Sequence, residues 1–535
     1  MARRRALVVL TLLFAVALAG PGDPRPAPTA RAASDGRFVT PAQAEAARAV
    51  AVERARQRRE AARRAEARAL RRSTTVKGAL RRAWLGRAIS RARYEELRRS
   101  WWLARRDVGR LRGARRAELA AVVAMAERLA GARLLTASRL DPVFLTIQRN
   151  REFWTTRALP APGARLTFGG DPVVFQYYAG RGLAIQPLAT FGRANALASS
   201  CVRTGARYRC RPAALRRVLD RMLELATRRG GFLAWEHFFA FGSGAPPWIS
   251  AMTQATGAQA LARGARALGA DGATRIRARA GSRARDSAQG AEYARAVRSA
   301  LGAFDARPPL GVAVPTGRGV RYAMYSFAPS LRILNGELQT LIGLRDVARI
   351  SRSRRAWRLF ERGEPAERRA VRGFDTGAWS LYSAGGGEST LGYHRLLAGF
   401  LGGLCRRTGT PVYCVAGRRF ERYVHEPPRV HVRTLRKLRA GRRATIGFTL
   451  SKISDVLLQV RDRRGRVERS TRLRALAHGR HSVGWVPSRP GRHRLRIVAI
   501  GPGGTRADVR RTVHVKTRHD AKPRKPAPKR RSRRA

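Results

Sequence analysis

Tyr325, Tyr382 and Tyr393 each stand beside a turn-forming or Gly-rich segment rather than inside a long apolar run. A phenol donates a proton and its phenolate accepts one. Opposed tyrosines therefore suit a reaction that removes a proton from one face of a centre and returns one to the other. The obstacle is protonation state: with a reference pKa near ~10, forming the phenolate at pH 7 costs about 4 kcal/mol. Guanidinium groups lower that cost and capture carboxylates bidentately. Arg321, Arg332 and Arg395 lie near the tyrosines in sequence. The scheme requires no cofactor and no metal, and a structural divalent cation finds no support in the sequence.

These tyrosines belong to an ordered series of short motifs: Y-x-x-x-P-S-x-x-x-L-N-G from Tyr325 to Gly336, L-I-G-L-x-D from Leu341 to Asp346, L-[FY]-E-R-G from Leu359 to Gly363, D-T-G-x-x-x-x-Y from Asp375 to Tyr382, and Y-H at Tyr393 and His394. In their order and spacing they resemble the C-terminal catalytic domain of D-glucuronyl C5-epimerases, which invert C5 of uronic acid residues in heparan-type polysaccharides. The resemblance implies catalytic roles for Tyr325, Tyr382 and Tyr393, with Tyr382 and Tyr393 as the opposed pair. It makes Arg321, Arg332, Arg395 and His394 candidates for substrate binding. Asn335 is a further candidate, although it reads first as part of a helix start. Upstream, Pro246 to Leu261 resembles the family's W-x-S-A-M-x-Q helix; Trp248 and Gln254 there are candidates for sugar contact, with a core role for Trp248 open beside it.

The resemblance covers residues 233–424, and it has departures. Where animal members carry an arginine three residues after the tyrosine matching Tyr382, this chain has Gly385, and the loop SAGGGESTLG before Tyr393 is shorter and Gly-rich. Two alternatives to an epimerase stand: a polysaccharide lyase, which also begins with proton abstraction at C5, and a non-catalytic carbohydrate- or cell-wall-binding protein.

Positioning the tyrosines requires a scaffold, and the pattern reads as multidomain and mainly α. Several segments between 144 and 425 show the i, i+3, i+4 apolar spacing of amphipathic helices, and the resemblance implies an (α/α) toroid over that range. FGGDPVVFQYYAG, at 168–180, reads as an extended segment or hairpin. Residues 41–143 are Arg/Ala-rich and helical in pattern, either a hairpin packed on the catalytic domain or a polyanion-binding arm. Within 428–516 the apolar period switches to two, as expected of an Ig-like β-sandwich with Trp485 in its core. Residues 517–535 form a low-complexity basic tail.

Composition limits the partners. The 535-residue chain carries 110 Lys+Arg against 35 Asp+Glu, formally +75, which attracts polyanions. No nucleic-acid-binding module is recognisable. Residues 1–19 have a basic start, a 14-residue apolar run from Ala6 to Ala19 and an A-x-A site, as in a secretory signal, and 20–40 reads as a linker. The expected setting is therefore secreted or cell-surface, with a retained signal anchor as the alternative, and the expected partner an anionic polysaccharide or cell-wall polymer; a dimer is allowed. Cys201 with Cys210, and Cys405 with Cys414, are each nine residues apart and read as two local disulfides rather than metal ligands.

Overall fold

A computed structural model describes residues 72–202, 210–268, 280–317, 319–433, 435 and 438–517, together with 53, 56–61, 64 and 68. The expected leader (1–19) and linker (20–40), and all but the first residue of the basic tail, lie outside them. The chain divides into two compact units, Met1–Ala69 and Leu70–Ala535. The described residues of the first are helical. The second is mainly helical with several small sheets.

The second unit opens with four helices, α1 (Val76–Leu85), α2 (Arg91–Arg110), α3 (Gly113–Gly131) and α4 (Ala137–Thr156). Thr75 and Ser90 start the first two by accepting from Gly78 N and Arg93 N at 3.0 and 3.1 Å, which satisfies amides with no partner inside the helix. Leu97, Trp101, Val122 and Leu140 share one apolar core, whereas Trp102, one residue along, faces outward. These helices are thus packed elements, as a helical hairpin would be. The boundary expected at 143/144 falls inside α4. Its Val143, Phe144 and Ile147 enter this first core, while Leu145, Phe153 and Trp154 enter the next, so the helix joins the two layers instead of separating them.

The larger core is built from eight further helices: α5 (Pro187–Val202), α6 (Pro212–Glu224), α7 (Ala251–Leu268), α8 (Ala280–Ala300), α9 (Leu334–Ile350), α10 (Arg354–Ala370), α11 (Leu391–Thr408) and α12 (Pro411–His425). Short hairpins β1 (Arg165–Leu166), β2 (Phe175–Tyr178) and β3 (Gly182–Ile185), β4 (Thr227–Arg229) with β5 (Phe232–Ala234), and β6 (Ala313–Thr316) with β7 (Gly319–Tyr322) link them. The glycine of L-I-G-L has a packing reason: a Cβ on Gly343 would lie 2.7 Å from the Ala255 carbonyl oxygen, so α9 approaches α7 as closely as glycine alone permits.

Two sheets follow, in strand orders β11-β10-β13-β14 and β12-β9-β8, the strands spanning β8 (Val430–Val432), β9 (Ala444–Leu450), β10 (Ser454–Arg461), β11 (Val467–Leu476), β12 (Gly479–Trp485), β13 (Gly491–Ile500) and β14 (Arg506–Val515). Alternate residues from both sheets, Phe448, Leu458, Trp485 and Ile497 among them, fill one core. Strands β11 and β14 lack a clear apolar alternation because both are edges, where Arg side chains guard against pairing with other chains.

Both disulfides form as expected, Cys201–Cys210 and Cys405–Cys414, the second tying the end of α11 to the start of α12. By loop entropy each contributes about 2–3 kcal/mol. The double substitution Cys405→Ser with Cys414→Ser should lower unfolding free energy by that amount in urea titrations, and an unchanged midpoint would contradict it.

Candidate active site

Two buried acid–arginine hubs hold the loops that carry the tyrosines. Behind Tyr325, Glu337 accepts from Arg321 at 3.0 Å and Arg332 at 3.3 Å, and Arg332 also reaches Glu367 at 2.8 Å. Burial, and then the neighbouring Glu337 carboxylate, hold Glu367 well above the usual carboxylate range. Arg321 also donates to the Pro329 carbonyl, and the Arg332 carbonyl accepts from Ala384 N at 3.1 Å. The segment after Tyr325 and the loop after Tyr382 are thus pinned to the same buried charges. The second hub is Glu236, which takes Arg139 of α4 at 2.6 and 2.8 Å and Arg229 of β4 at 2.6 Å. It anchors the strand-like segment carrying His237, Phe239 and Phe241.

The aromatic wall between the hubs is continuous. Tyr178 of β2 stacks on Phe239 (4.4 Å between centroids), Phe239 meets Trp248 (5.4 Å), Trp248 meets Tyr325 edge-on (5.6 Å), and Tyr325 stacks on Phe327 (5.4 Å). Tyr382 packs against the Tyr325 cluster and touches Tyr393 edge to face at 4.8 Å. Exposure rises across the group, from 8% at Tyr325 to 43% at Tyr393, so the packed aromatic cluster reaches the surface at Tyr393. Burial first, then the neighbouring phenols, raise Tyr325 and Tyr382 above the ordinary tyrosine value. Burial and Tyr393 do the same to Tyr178, partly offset by Arg165 and Arg181. Tyr325, Tyr382 and Tyr178 are therefore neutral phenols at pH 7.

The expected site residues divide sharply. Tyr325, Tyr382 and Tyr393 come together. Arg321 and Arg332 are near them, but their guanidinium groups are spent on Glu337 and Glu367, so they brace the loops and are not free to hold a carboxylate. His394 faces away from the cleft: it stacks on Trp379 at 3.6 Å, with Nδ1 2.8 Å from Ser380 Oγ and Nε2 2.8 Å from the Phe420 carbonyl. Gln254 is buried, accepting from Trp235 N at 2.8 Å and donating to the Leu233 carbonyl at 3.1 Å, which leaves its amide no reach to a sugar. Asn335 is buried in the first turn of α9. Trp248 is wall and core at once, its indole N–H donating to the Phe239 carbonyl at 2.8 Å. Arg395 is exposed.

Tyr178 was missed from the sequence, and with it Arg165 and Arg181. The signal was present in the period of two: in FQYY, Tyr177 points into the core, leaving Tyr178 on the other face. Arg165 and Arg181 act on Tyr178 as neighbouring cations; they and Arg395 are exposed, with no ion-pair partner among the described residues. No group of three or more His, Cys, Asp or Glu placed to hold a metal ion occurs among the described residues.

The loop between Tyr382 and Tyr393 has its own architecture. Gly385 sits at φ +69°, where residues with side chains are strained, so its turn does not present an arginine. Glu388 then leaves the loop for the β-sheets: its carboxylate, wholly buried, accepts from Ile453 N at 2.9 Å and His478 N at 2.7 Å. Beside it the buried Lys452 donates to the Tyr423 and Glu426 carbonyls, both at 2.6 Å, and lies 5.2 Å from the Trp379 ring centroid. Asp375, opening the D-T-G motif, accepts from Gly377 N at 2.8 Å and so fixes that turn.

Clustered phenols backed by arginine–carboxylate pairs are thus brought together by the fold. Residues 280–422, about a quarter of the 535-residue chain, match the family described as D-glucuronyl C5-epimerase C-terminus. No curated protein matches the chain.

Two histidines near the site set an acid limit on stability. Burial depresses His237 to about 3 and His394 to about 4, against 6.5 when unfolded. Both are neutral in the fold and protonate only on unfolding, so their stability is full above about pH 6.5 and is lost as pH falls from there towards 4. Each contributes a slope of about 1.4 kcal/mol per pH unit. Urea unfolding at pH 6 and pH 5 should show that slope reduced by about this amount in His394→Gln; an identical slope in the variant would refute the assignment.

Proposed function

We propose that the protein is an exported D-glucuronyl C5-epimerase-like enzyme that inverts C5 of uronic acid residues in an anionic polysaccharide by tyrosine acid–base chemistry. The observation that carries the reading is the convergence of Tyr325, Tyr382 and Tyr393 on one recess within the stretch that matches the epimerase family. In this reading the helix pairs form an (α/α) toroid and the C-terminal sheets an Ig-like sandwich. The basic and apolar N-terminal segment and the two disulfides support export.

In the reaction, a phenolate takes the C5 proton, the C–H electron pair moves into the adjoining carboxylate to give an enediolate, and a phenol on the other face returns a proton to C5. The sugar carboxylate falls to Arg165, Arg181 or Arg395, the cations left free beside the cleft. Tyr382 and Tyr393 touch, with 4.8 Å between ring centroids, which leaves no space for a sugar between the rings. The opposed phenol is therefore drawn from another wall, and Tyr178 on its hairpin is the best placed.

Incubation in D₂O with heparosan and its N-sulfated form should place deuterium at uronate C5 and yield some L-iduronate. Replacing Tyr178, Tyr325, Tyr382 or Tyr393 by Phe should lower the rate by about 10²–10⁴ while binding persists. An unsaturated product absorbing in the near ultraviolet would make the protein a lyase. Polymer binding with no label on any substrate would make it a non-catalytic carbohydrate-binding protein.

The raised phenols also fix the sign of the pH dependence. The reactive phenolate is scarce at neutral pH, so kcat/KM should climb roughly tenfold per unit between pH 7 and 9. A flat profile over that range would contradict a tyrosine base.

A further inference from the structure

At the far end of α9 from the tyrosines lies a second feature with the chemistry of a binding site. Ile333, just before α9, packs with Tyr325, whereas Arg345 and Arg349 occupy its last turns. At a rise of 1.5 Å per residue the two ends of this helix are about 24 Å apart. There a groove of about 540 Å³ is lined by Arg345, Arg349, Arg352, Arg354, Arg358 and Trp357.

Arg139, Arg321 and Arg407 are neutralised by buried carboxylates, but the arginines of this groove are not. Arg349, Arg352, Arg354 and Arg358 are exposed and have no ion-pair partner among the described residues. Arg345 lies over the Trp357 ring at 4.4 Å, and its buried Nε has no hydrogen-bond partner. Trp357 is itself 38% exposed, an unusual position for a residue of its size. Local electrostatics add to the imbalance. Arg354 and Arg358 stand in the first two turns of α10, whose first turn contains no acid. Cations at that end of a helix oppose its dipole, and an anion would relieve both.

We infer that this groove is a second binding site for an anionic polysaccharide, holding its carboxylate or sulfate groups on the arginines and one sugar face on Trp357, away from the site of proton transfer. The choice of polysaccharide as the ligand class rests on the epimerase reading; the presence of an anion site does not. Planar guanidinium groups match carboxylate and sulfate oxygens in pairs, and an exposed indole offers the apolar platform a sugar ring needs.

The test compares two full-length variants that lose equal charge. One carries Arg349→Ala, Arg354→Ala and Arg358→Ala in the groove. The other carries Arg463→Ala, Arg469→Ala and Arg472→Ala on the β-sheet surface, where all three are exposed. Affinity for heparosan is measured by titration against salt, with single-stranded poly(dT) as the comparison polyanion. The groove variant should bind heparosan at least tenfold more weakly, with a flatter salt dependence, and the sheet variant less than threefold. Trp357→Ala, which changes no charge, should weaken heparosan binding several-fold. Equal losses in the two triple variants would reduce the effect to net charge and overturn the proposal. A loss confined to poly(dT) would reassign the groove to nucleic acid and overturn it likewise. Because these readouts need no turnover, failure of the deuterium experiment with the groove effect intact would sink the epimerase reading alone.

Discussion

Buried carboxylates shared between guanidinium groups are the interaction on which this structure depends. With acids outnumbered so heavily by arginines, one carboxylate commonly serves two or three partners. Glu236 joins Arg139 to Arg229, Glu337 joins Arg321 to Arg332, and Asp346 collects Gln259, Arg263 and Arg407. The Glu236 and Asp346 hubs tie together elements far apart in sequence, whereas the Glu337 hub gathers residues within sixteen positions. Removing one member of such a group strands a buried charge, typically at about 3–5 kcal/mol. The acids are therefore the structurally expensive residues here, and the arginines that escape them mark the places where an external anion could supply the missing charge.

That economy explains which site residues could be read from the sequence. The tyrosines were legible because they sit in an ordered motif set, and the fold brings them together. The ion pairs of Arg321 and Arg332 could not be read from the sequence, because proximity along the chain does not reveal whether a guanidinium already has a partner; Glu337 and Glu367 lie 5 and 35 residues from Arg332. The polar atoms of His394 and Gln254 likewise meet partners that only the fold brings near: the Ser380 hydroxyl and Phe420 carbonyl for His394, and the Trp235 and Leu233 backbone for Gln254. Tyr178 lay outside the matched stretch on a four-residue strand, where the alternation was too short to advertise its direction.

The scaffold was legible to a similar depth. Helical periodicity marked most of the helices around the tyrosines, and alternation marked strands β8, β9, β10, β12 and β13. The edge strands β11 and β14 escaped because Arg and Thr occupy many of their positions, which suits an edge and erases the pattern. The position 143/144 falls inside α4, which buries one face in each core, and composition alone cannot show a helix serving two layers.

Glu388 has a consequence for the order in which the protein is made. Its partner His478 lies 90 residues further along the chain. A ribosome delivers the helices and all the tyrosines well before the strands that receive this carboxylate. Until β10 and β12 have emerged, the loop between Tyr382 and Tyr393 carries a charge intended for burial but still in water, and the loop is held by its bonds to Arg332 and Ser380 without this anchor. The recess is thus finished by the last segment synthesised, and a chain cut short after α12 would possess every phenol without the anchor that sets two of them.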